Sequence, residues 1–167
     1  MNAQRSFNYP HVGATRGETP AGFRHAHLTS RLGSGDVAFR TAVGALESWN
    51  MQRHAGFRVD SHTPAPRAGL EVRLDPPFGP VRWGAWCRVV YVVDEPNRRG
   101  FAYGTLEGHP ISGEEAFVVE RRPDGVVFGH ITAVSRPGRW FTRLGAPVLP
   151  LAQRWMMGRY LDALTGG

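Results

Sequence analysis

Apolar and polar residues alternate with a period of two over most of residues 57–135, a pattern typical of β-strands. Pro-containing and Asp-Gly connectors separate the alternating runs and supply turn geometry. The runs between Trp86 and Ser135 follow one another closely enough to form an antiparallel meander. We therefore predict a sheet over residues 57–135, with strands at Phe57–Thr63, Gly69–Leu74, Trp83–Val93, Arg99–Leu106, Glu114–Arg122 and Val126–Ser135.

Helical periodicity flanks the predicted sheet on both sides. Ser34 can cap a helix over residues 34–50, along which apolar residues recur at spacings of three and four. A second, C-terminal helix is predicted over residues 146–164, with an apolar face opposite several charged residues. Residues 1–33 are rich in Gly, Pro and polar side chains, which indicates an irregular arm with one short strand around Phe23–Leu28.

The order of these elements predicts one α+β domain spanning residues 1–167. A strongly curved antiparallel β-sheet wrapped round a long C-terminal helix is a helix-grip. Because one helix cannot fill the concavity of such a sheet, this architecture predicts a cavity between the sheet and the helix.

The polar residues on the meander strands can bind a ligand or catalyse a reaction only if their side chains point into the cavity. The alternation of apolar and polar residues does not determine which way they point. Both faces of the strand Trp86–Val93 are largely apolar, so Arg88 and Tyr91 can point inward or outward. An inward Arg88 needs a carboxylate partner or an anionic ligand, whereas an outward one is a surface arginine or half of an ion pair. Tyr103 can offer its phenol to a carbonyl in the cavity or lie outside.

The connector over residues 107–115 is the densest polar cluster. His109 lies near two carboxylates and can act as a general acid or base, with a carboxylate fixing its tautomer. Since Glu114 and Glu115 are adjacent on a strand, they point to opposite faces, and at most one serves the cavity. We assign Tyr103, His109 and Glu114 as candidate catalytic residues. The alternative is a solvated hairpin loop.

A further set of residues is predicted to contact a ligand in the cavity. His130 lies in mid-strand, where it is either a core histidine satisfied by a neighbouring polar group or a base. The buried thiol of Cys87 is expected to be inert. No metal site is predicted, because His25 and His27 share a strand face without a third ligand nearby. The candidate ligand-binding residues are Arg88, Tyr91, Phe117, His130, Met156 and Tyr160.

Charge and composition narrow the expected partners. The net charge of +6 invites a nucleic-acid hypothesis, but every basic residue is arginine and these are scattered along the chain, so no nucleic-acid partner is predicted. No apolar run is long enough to span a bilayer, and no hydrophobic stretch follows Met1, so we expect a cytoplasmic protein. Phosphate-loop and dinucleotide motifs are absent, and no cofactor is predicted. Trp155 is a contact at the sheet rim or in a possible homodimer.

Three segments resemble an uncharacterised bacterial and plant family, a domain of unknown function. They are Phe-Asn-Tyr-Pro-His-Val-Gly-Ala-Thr-Arg at 7–16, Cys-Arg-Val-Val-Tyr-Val-Val-Asp-Glu-Pro at 87–96, and the run from Gly100 to Glu115. That family is similar to the START and Bet-v-like superfamily, also called SRPBCC. The resemblance implies a helix-grip fold with a deep hydrophobic cavity. Relatives in the superfamily bind lipids, steroids and plant hormones, or cyclise and dehydrate polyketides.

Three hypotheses for function remain open. The first is a protein that binds a hydrophobic or aromatic small molecule in the cavity. The second is a cofactor-free cyclase, isomerase or dehydratase of a polyketide- or terpenoid-like substrate, in which Tyr91 or Tyr103 polarises a carbonyl and His109 or Glu114 moves a proton. The third is a structural or partner-binding protein whose cavity is filled by its own side chains. A cavity of roughly 300 Å³ or more with at least two convergent polar groups would keep the first two open, and its absence would leave only the third.

Overall fold

The computed structural model describes residues 5–76, 85–138 and 148–165. A single 3-10 turn at Ala14–Arg16 precedes the regular elements. In chain order these are β1 (Arg24–Ser34), α1 (Gly35–Glu47), α2 (Asn50–His54), β2 (Glu71–Arg73), β3 (Trp86–Glu95), β4 (Arg98–Thr105), β5 (Ile111–Arg121), β6 (Val126–Pro137) and α3 (Leu149–Ala163).

The six strands form one antiparallel sheet in the order β1-β6-β5-β4-β3-β2. Strands β3 to β6 are consecutive neighbours and make up the predicted meander. Helices α1 and α3 cover one face of this open, curved sheet, so the predicted α+β helix-grip fold is confirmed. Among the described residues, no helix is long and apolar enough to cross a membrane.

The face of the sheet under the helices, here called the inner face, carries the hydrophobic core. On β5, Phe117 and Val119 point to this face, and on β6 Ile131 does so. From α3, Met157 and Tyr160 pack against them. The opposite face of the sheet is called the outer face.

A β-bulge in β3 changes which side chains of that strand face the core. Val89 pairs with Tyr103, but the next partner pair is Tyr91 with Ala102, so Val90 is the extra residue. Because one inserted residue reverses the alternation, Tyr91 no longer shares the inner face with Val89. Simple alternation along the sequence places these two residues on the same face.

The predicted strand at Phe57–Thr63 does not form. An isolated bridge joins Arg58 to Asp75, but the rest of the segment turns back on itself, with the Asp60 carboxylate accepting a hydrogen bond from the His62 N–H at 2.8 Å. Such an Asx turn competes with strand pairing. The neighbouring prediction over Gly69–Leu74 is shortened to Glu71–Arg73.

The short strand predicted around Phe23–Leu28 forms, but it is longer than expected and extends to Ser34. Arg24–Ser34 is an edge strand of eleven residues that pairs with β6 along its whole length, with a bulge near Gly33. Its Ser, Arg and Gly residues have low strand propensity, and pairing with β6 overrides that preference.

The first predicted helix is interrupted. It ends at Glu47, and Trp49 adopts a left-handed conformation with φ of 60° before the short helix α2 begins. The Trp49 side chain is fully buried, and its indole N–H donates to the Pro64 carbonyl at 2.8 Å. Ser34 occupies the N-cap position of α1, but its side chain makes no capping hydrogen bond.

Three predicted segments lie partly outside the described residues. They are the start of the strand at Trp83, residues 77–80 of the Pro-containing connector before that strand, and residues 146–147 of the C-terminal helix.

Candidate functional site

A cavity of about 260 Å³ lies between the inner face of the sheet and α3. Its wall is predominantly apolar, and α3 contributes Ala152, Gln153, Met156 and Tyr160. The remaining wall residues come from the sheet and its connections: Phe57, Leu74, Pro76, Ala85, Cys87, Tyr103, Thr105, His109, Pro110, Ile111, Gly113, Glu114, Glu115, Ala133 and Ser135.

Glu115 is the carboxylic acid that enters this cavity. It pairs with Tyr103 on β4 and with Ala133 on β6, both of which also line the cavity. The Tyr103 hydroxyl donates a hydrogen bond to Glu115 Oε2 at 3.0 Å. Burial raises the pKa of Glu115 to about 7, and the hydrogen bond from Tyr103 only partly opposes that effect. The site therefore contains a carboxyl group that exchanges a proton near neutral pH.

Two phenols flank this carboxyl group. Burial raises the pKa of Tyr103, and Tyr160 and Glu115 nearby raise it further. Burial followed by the Glu115 charge likewise raises the pKa of Tyr160. Phe117 packs behind both rings, with ring centroids 5.2 Å from Tyr103 and 5.5 Å from Tyr160. Both tyrosines are consequently neutral hydrogen-bond donors in a rigid aromatic wall.

His109 and the pair Gln153 and Ser135 supply the other polar wall groups. His109 Nδ1 accepts a hydrogen bond from the Ile111 N–H at 3.0 Å, which fixes the ring against the start of β5. The Gln153 amide donates to Ser135 Oγ at 3.1 Å and ties α3 to β6. These contacts hold the ring and the helix in position around the cavity.

The carboxylate of Glu114 is held on the outer face, away from the cavity. Residues 5–17, here called the N-terminal strap, cross the outer face and surround this group. The hydroxyl of Tyr9 donates to Glu114 Oε2 at 2.8 Å, and so does the Gly13 N–H at 2.7 Å. The Thr15 N–H donates to Oε1 at 3.2 Å, and the Thr15 hydroxyl donates to the same oxygen. Glu114 is only 2% exposed.

Close backbone approach allows the strap to lie flat on the sheet. Gly104 is the cross-strand partner of Glu114, and a Cβ at this position would lie 2.0 Å from the Tyr9 hydroxyl oxygen. Gly13 has a φ of 92°, a conformation that favours glycine, and this turn directs its N–H at the carboxylate. Burial and then Glu114 raise the pKa of Tyr9, so its hydroxyl stays a donor.

Three other sequence-predicted site residues also lie on the outer face. Tyr91 bonds the Thr15 hydroxyl at 2.8 Å. Arg88 forms an ion pair with Glu71 at 2.6 Å, which is the outward alternative from the sequence. His130 lies 3.1 Å from the Glu120 carboxylate, and burial lowers its pKa. Their placement corrects the expectation that they contact a ligand in the cavity.

Five of the nine predicted site residues belong to the cavity wall, although one of them, Glu114, directs its carboxylate to the strap on the outer face. Tyr103, His109, Met156 and Tyr160 line the cavity, and Phe117 lies directly behind two of them. Of the two adjacent glutamates, the sequence analysis assigned Glu114 to the cavity, whereas the structure places the side chain of Glu115 there. A signal was present, since Glu115 shares its strand face with the large apolar residues Phe117 and Val119.

Comparison with known proteins gives matches along most of the chain. Residues 8–163 match the domain of unknown function DUF1990. A UPF0548 protein of Deinococcus radiodurans is 37% identical over 152 residues, which cover 83% of this chain and 75% of the relative. A UPF0548 protein of Arabidopsis thaliana is 31% identical over 143 residues, covering 80% of this chain and 67% of the relative.

Solved structures show the same fold at low sequence identity. A hypothetical protein of Helicobacter pylori superimposes with a TM-score of 0.63 at 12% identity, covering 99% of this chain and 98% of the other. The crystal structure of Ara h 8.0201, a Bet v 1-like protein, gives a TM-score of 0.53 at 10% identity, covering 87% of this chain and 97% of the other. These likenesses concern the fold alone.

Proposed function

The chain belongs to the DUF1990 family, as the resemblance of its three sequence segments predicted, and from that premise we propose that it binds a small, largely apolar molecule in the cavity between the sheet and α3. The observation that carries the proposal is the cavity itself, a space of about 260 Å³ with apolar walls and a few polar groups, among them the hydrogen-bonded pair Tyr103 and Glu115. Small-molecule sites commonly combine an apolar wall with a few such orienting groups.

The size of the cavity limits the ligand. Typical pockets for drug-sized molecules measure about 300–1,000 Å³. The cavity of about 260 Å³ is slightly smaller than that range and than the size expected from the sequence, so it fits a smaller body, such as a two-ring aromatic molecule. The aromatic rings of Phe57, Tyr103 and Tyr160 offer flat contact surfaces to such a ligand.

A cofactor-free cyclase, isomerase or dehydratase is the second candidate, and Glu115 is the observation that favours it. General acid–base catalysis works best with a group whose pKa lies near the working pH, and Glu115 has a pKa of about 7. In this candidate mechanism Glu115 moves the proton and Tyr103 polarises a carbonyl, so that Glu115 replaces Glu114 in the role expected from sequence.

Binding in the cavity can be tested with two neighbouring tryptophan substitutions on α3. Ala152 lines the cavity, so Ala152→Trp should fill part of it, whereas Leu151 is 70% exposed and lies outside the wall. We expect native mass spectrometry to detect a bound small molecule in the wild type and Leu151→Trp. Equilibrium dialysis with 2-acetylnaphthalene should show binding to the same two proteins and at least tenfold weaker binding to Ala152→Trp. Equal binding to all three proteins would contradict a site in this cavity.

A further inference from the structure

We propose that the ligand is a neutral, largely apolar molecule with one hydrogen-bond acceptor, such as a ketone, aldehyde or ester carbonyl oxygen, and that Glu115 receives this oxygen as a carboxylic acid. The inference rests on the proposed function and specifies the class of molecule that the cavity takes.

The position of Glu115 carries the first step. Its side chain comes from the middle of the sheet, between Tyr103 and Ala133, and is half-buried. The exposed part of this residue belongs to the cavity wall. A ligand in the cavity therefore meets this group directly.

The hydrogen bonds of Glu115 indicate its protonation state. An ionised carboxylate offers about four acceptor positions, and burial is favourable only when donors occupy them. Among the residues that the structure describes, Tyr103 supplies the one hydrogen bond to Glu115. The protonated acid fits this environment better, since Oε2 accepts from Tyr103 and the acid O–H can donate into the cavity. A carboxylic acid kept neutral by an apolar site can serve as such a donor.

No arginine is among the described residues that line the cavity, and three titratable groups that act on Glu115 are uncharged. Cys87 faces it from β3, Tyr103 from β4 and Tyr160 from α3, and burial raises the pKa of all three, so they are neutral at pH 7. His109 lines the same cavity with Nδ1 engaged by the Ile111 N–H. Ala133 and Ser135 on β6 and Phe57 after α2 carry no charge.

Filling the cavity strengthens this preference. An apolar ligand excludes water from the carboxyl group, and further desolvation favours the neutral acid. The acid then needs an acceptor for its proton, which a carbonyl oxygen provides. A ligand carboxylate would place a second negative charge or a second acid beside Glu115 and is expected to bind weakly.

Three naphthalenes of nearly the same shape test the inference. They are 2-acetylnaphthalene, which carries a carbonyl; 2-ethylnaphthalene, which lacks it; and 1-(2-naphthyl)ethylamine, which is cationic. In equilibrium dialysis at pH 6, we expect the ketone to bind about tenfold more tightly than the hydrocarbon, the upper range for one hydrogen bond, and the amine to bind most weakly.

The pH dependence identifies the donor. As pH rises from 6 to 9, Glu115 loses its proton and the preference for the ketone over the hydrocarbon should fall to about twofold or less. In Glu115→Gln the amide N–H₂ keeps a donor without an ionisable proton, so the preference should persist unchanged at pH 9. Because the ratio of two ligands is measured on one protein, changes in folding stability cancel.

The outcomes separate the inference from the function on which it rests. Equal affinity for ketone and hydrocarbon at pH 6, or tightest binding of the amine with loss in Glu115→Gln, would overturn the inference while leaving a small-molecule site in place. Binding of all three compounds that is unchanged by Ala152→Trp would overturn the proposed function itself. Failure of all three to bind would overturn both.

Discussion

Glu114 and Glu115 are neighbours on one strand, yet the two faces of the sheet give them opposite environments. On the outer face, Glu114 accepts four hydrogen bonds from the N-terminal strap. On the inner face, Glu115 accepts one, from Tyr103, beside an apolar cavity. Both carboxyl groups lose contacts with bulk water. They differ in the number of protein hydrogen-bond donors that replace those contacts.

This difference indicates that the outer-face glutamate stabilises the fold and that the inner-face glutamate is available to a ligand. Donors from Tyr9, Gly13 and Thr15 satisfy Glu114, so this carboxylate joins the strap to β5. The carboxyl group of Glu115 has unused hydrogen-bonding capacity that faces the cavity. A group with such capacity in a cavity is suited to a ligand or to proton transfer.

The largest expected effect comes from removing the Glu114 carboxylate. Glu114→Ala leaves the donors of Tyr9, Gly13 and Thr15 without their shared acceptor beneath the strap. Hydrogen bonds to a charged group contribute about 1.5–3 kcal/mol each, and they are not additive. We expect a loss of about 4 kcal/mol in the free energy of unfolding, measured by urea denaturation at pH 7.

Glu95 offers a matched control for that substitution. Its side chain is 55% exposed and pairs with Arg98 at 3.5 Å. Exposed pairs of this kind contribute about 0–1 kcal/mol, so Glu95→Ala should change stability little. Similar losses in both variants would show that the strap contacts do not stabilise the fold.

A smaller effect is expected from Tyr9→Phe. The substitution removes one of the four donors to Glu114 and keeps the ring that lies against Gly104. Loss of this single bond should lower the free energy of unfolding by about 1–2 kcal/mol. Binding of 2-acetylnaphthalene should stay within twofold of the wild type, because the cavity lies on the other face. A large loss of binding would show that the two faces are coupled.

The sequence predicted the fold because short apolar runs separated by turn residues indicate the meander strands, and helical spacing of apolar residues indicates the helices on both sides of it. Both signals are local, and each places one apolar face toward a common core. The predicted strand at Phe57–Thr63 failed because an Asx turn at Asp60 competes with pairing. The length of β1 was missed because its pairing with β6 joins segments about one hundred residues apart.

The candidate site was predicted less completely, for two physical reasons. A bulge at Val90 reverses the facing of Tyr91, and alternation cannot show an inserted residue. The contacts of the strap with Glu114 span about one hundred residues and leave no local pattern. The facing of Glu115, in contrast, could have been predicted, because Phe117 and Val119 on the same strand indicate the inner face.

The most direct test of the account compares Glu114→Gln with Glu115→Gln in urea denaturation from pH 4 to pH 9. The folded-state pKa of Glu115, about 7, lies above its ordinary value of 4.5. The stability that the neutral acid contributes is therefore fully present below pH 4.5 and is lost as pH rises through 7, a change of about 3 kcal/mol. Glutamine at this position should remove that dependence.

At pH 8 we expect Glu115→Gln to be more stable than the wild type by up to about 3 kcal/mol, since it no longer buries a charge with one donor. Glu114→Gln should be less stable than the wild type by about 2 kcal/mol, since it loses the charge that accepts four bonds. Destabilisation of the same size in both variants at pH 8 would contradict the account.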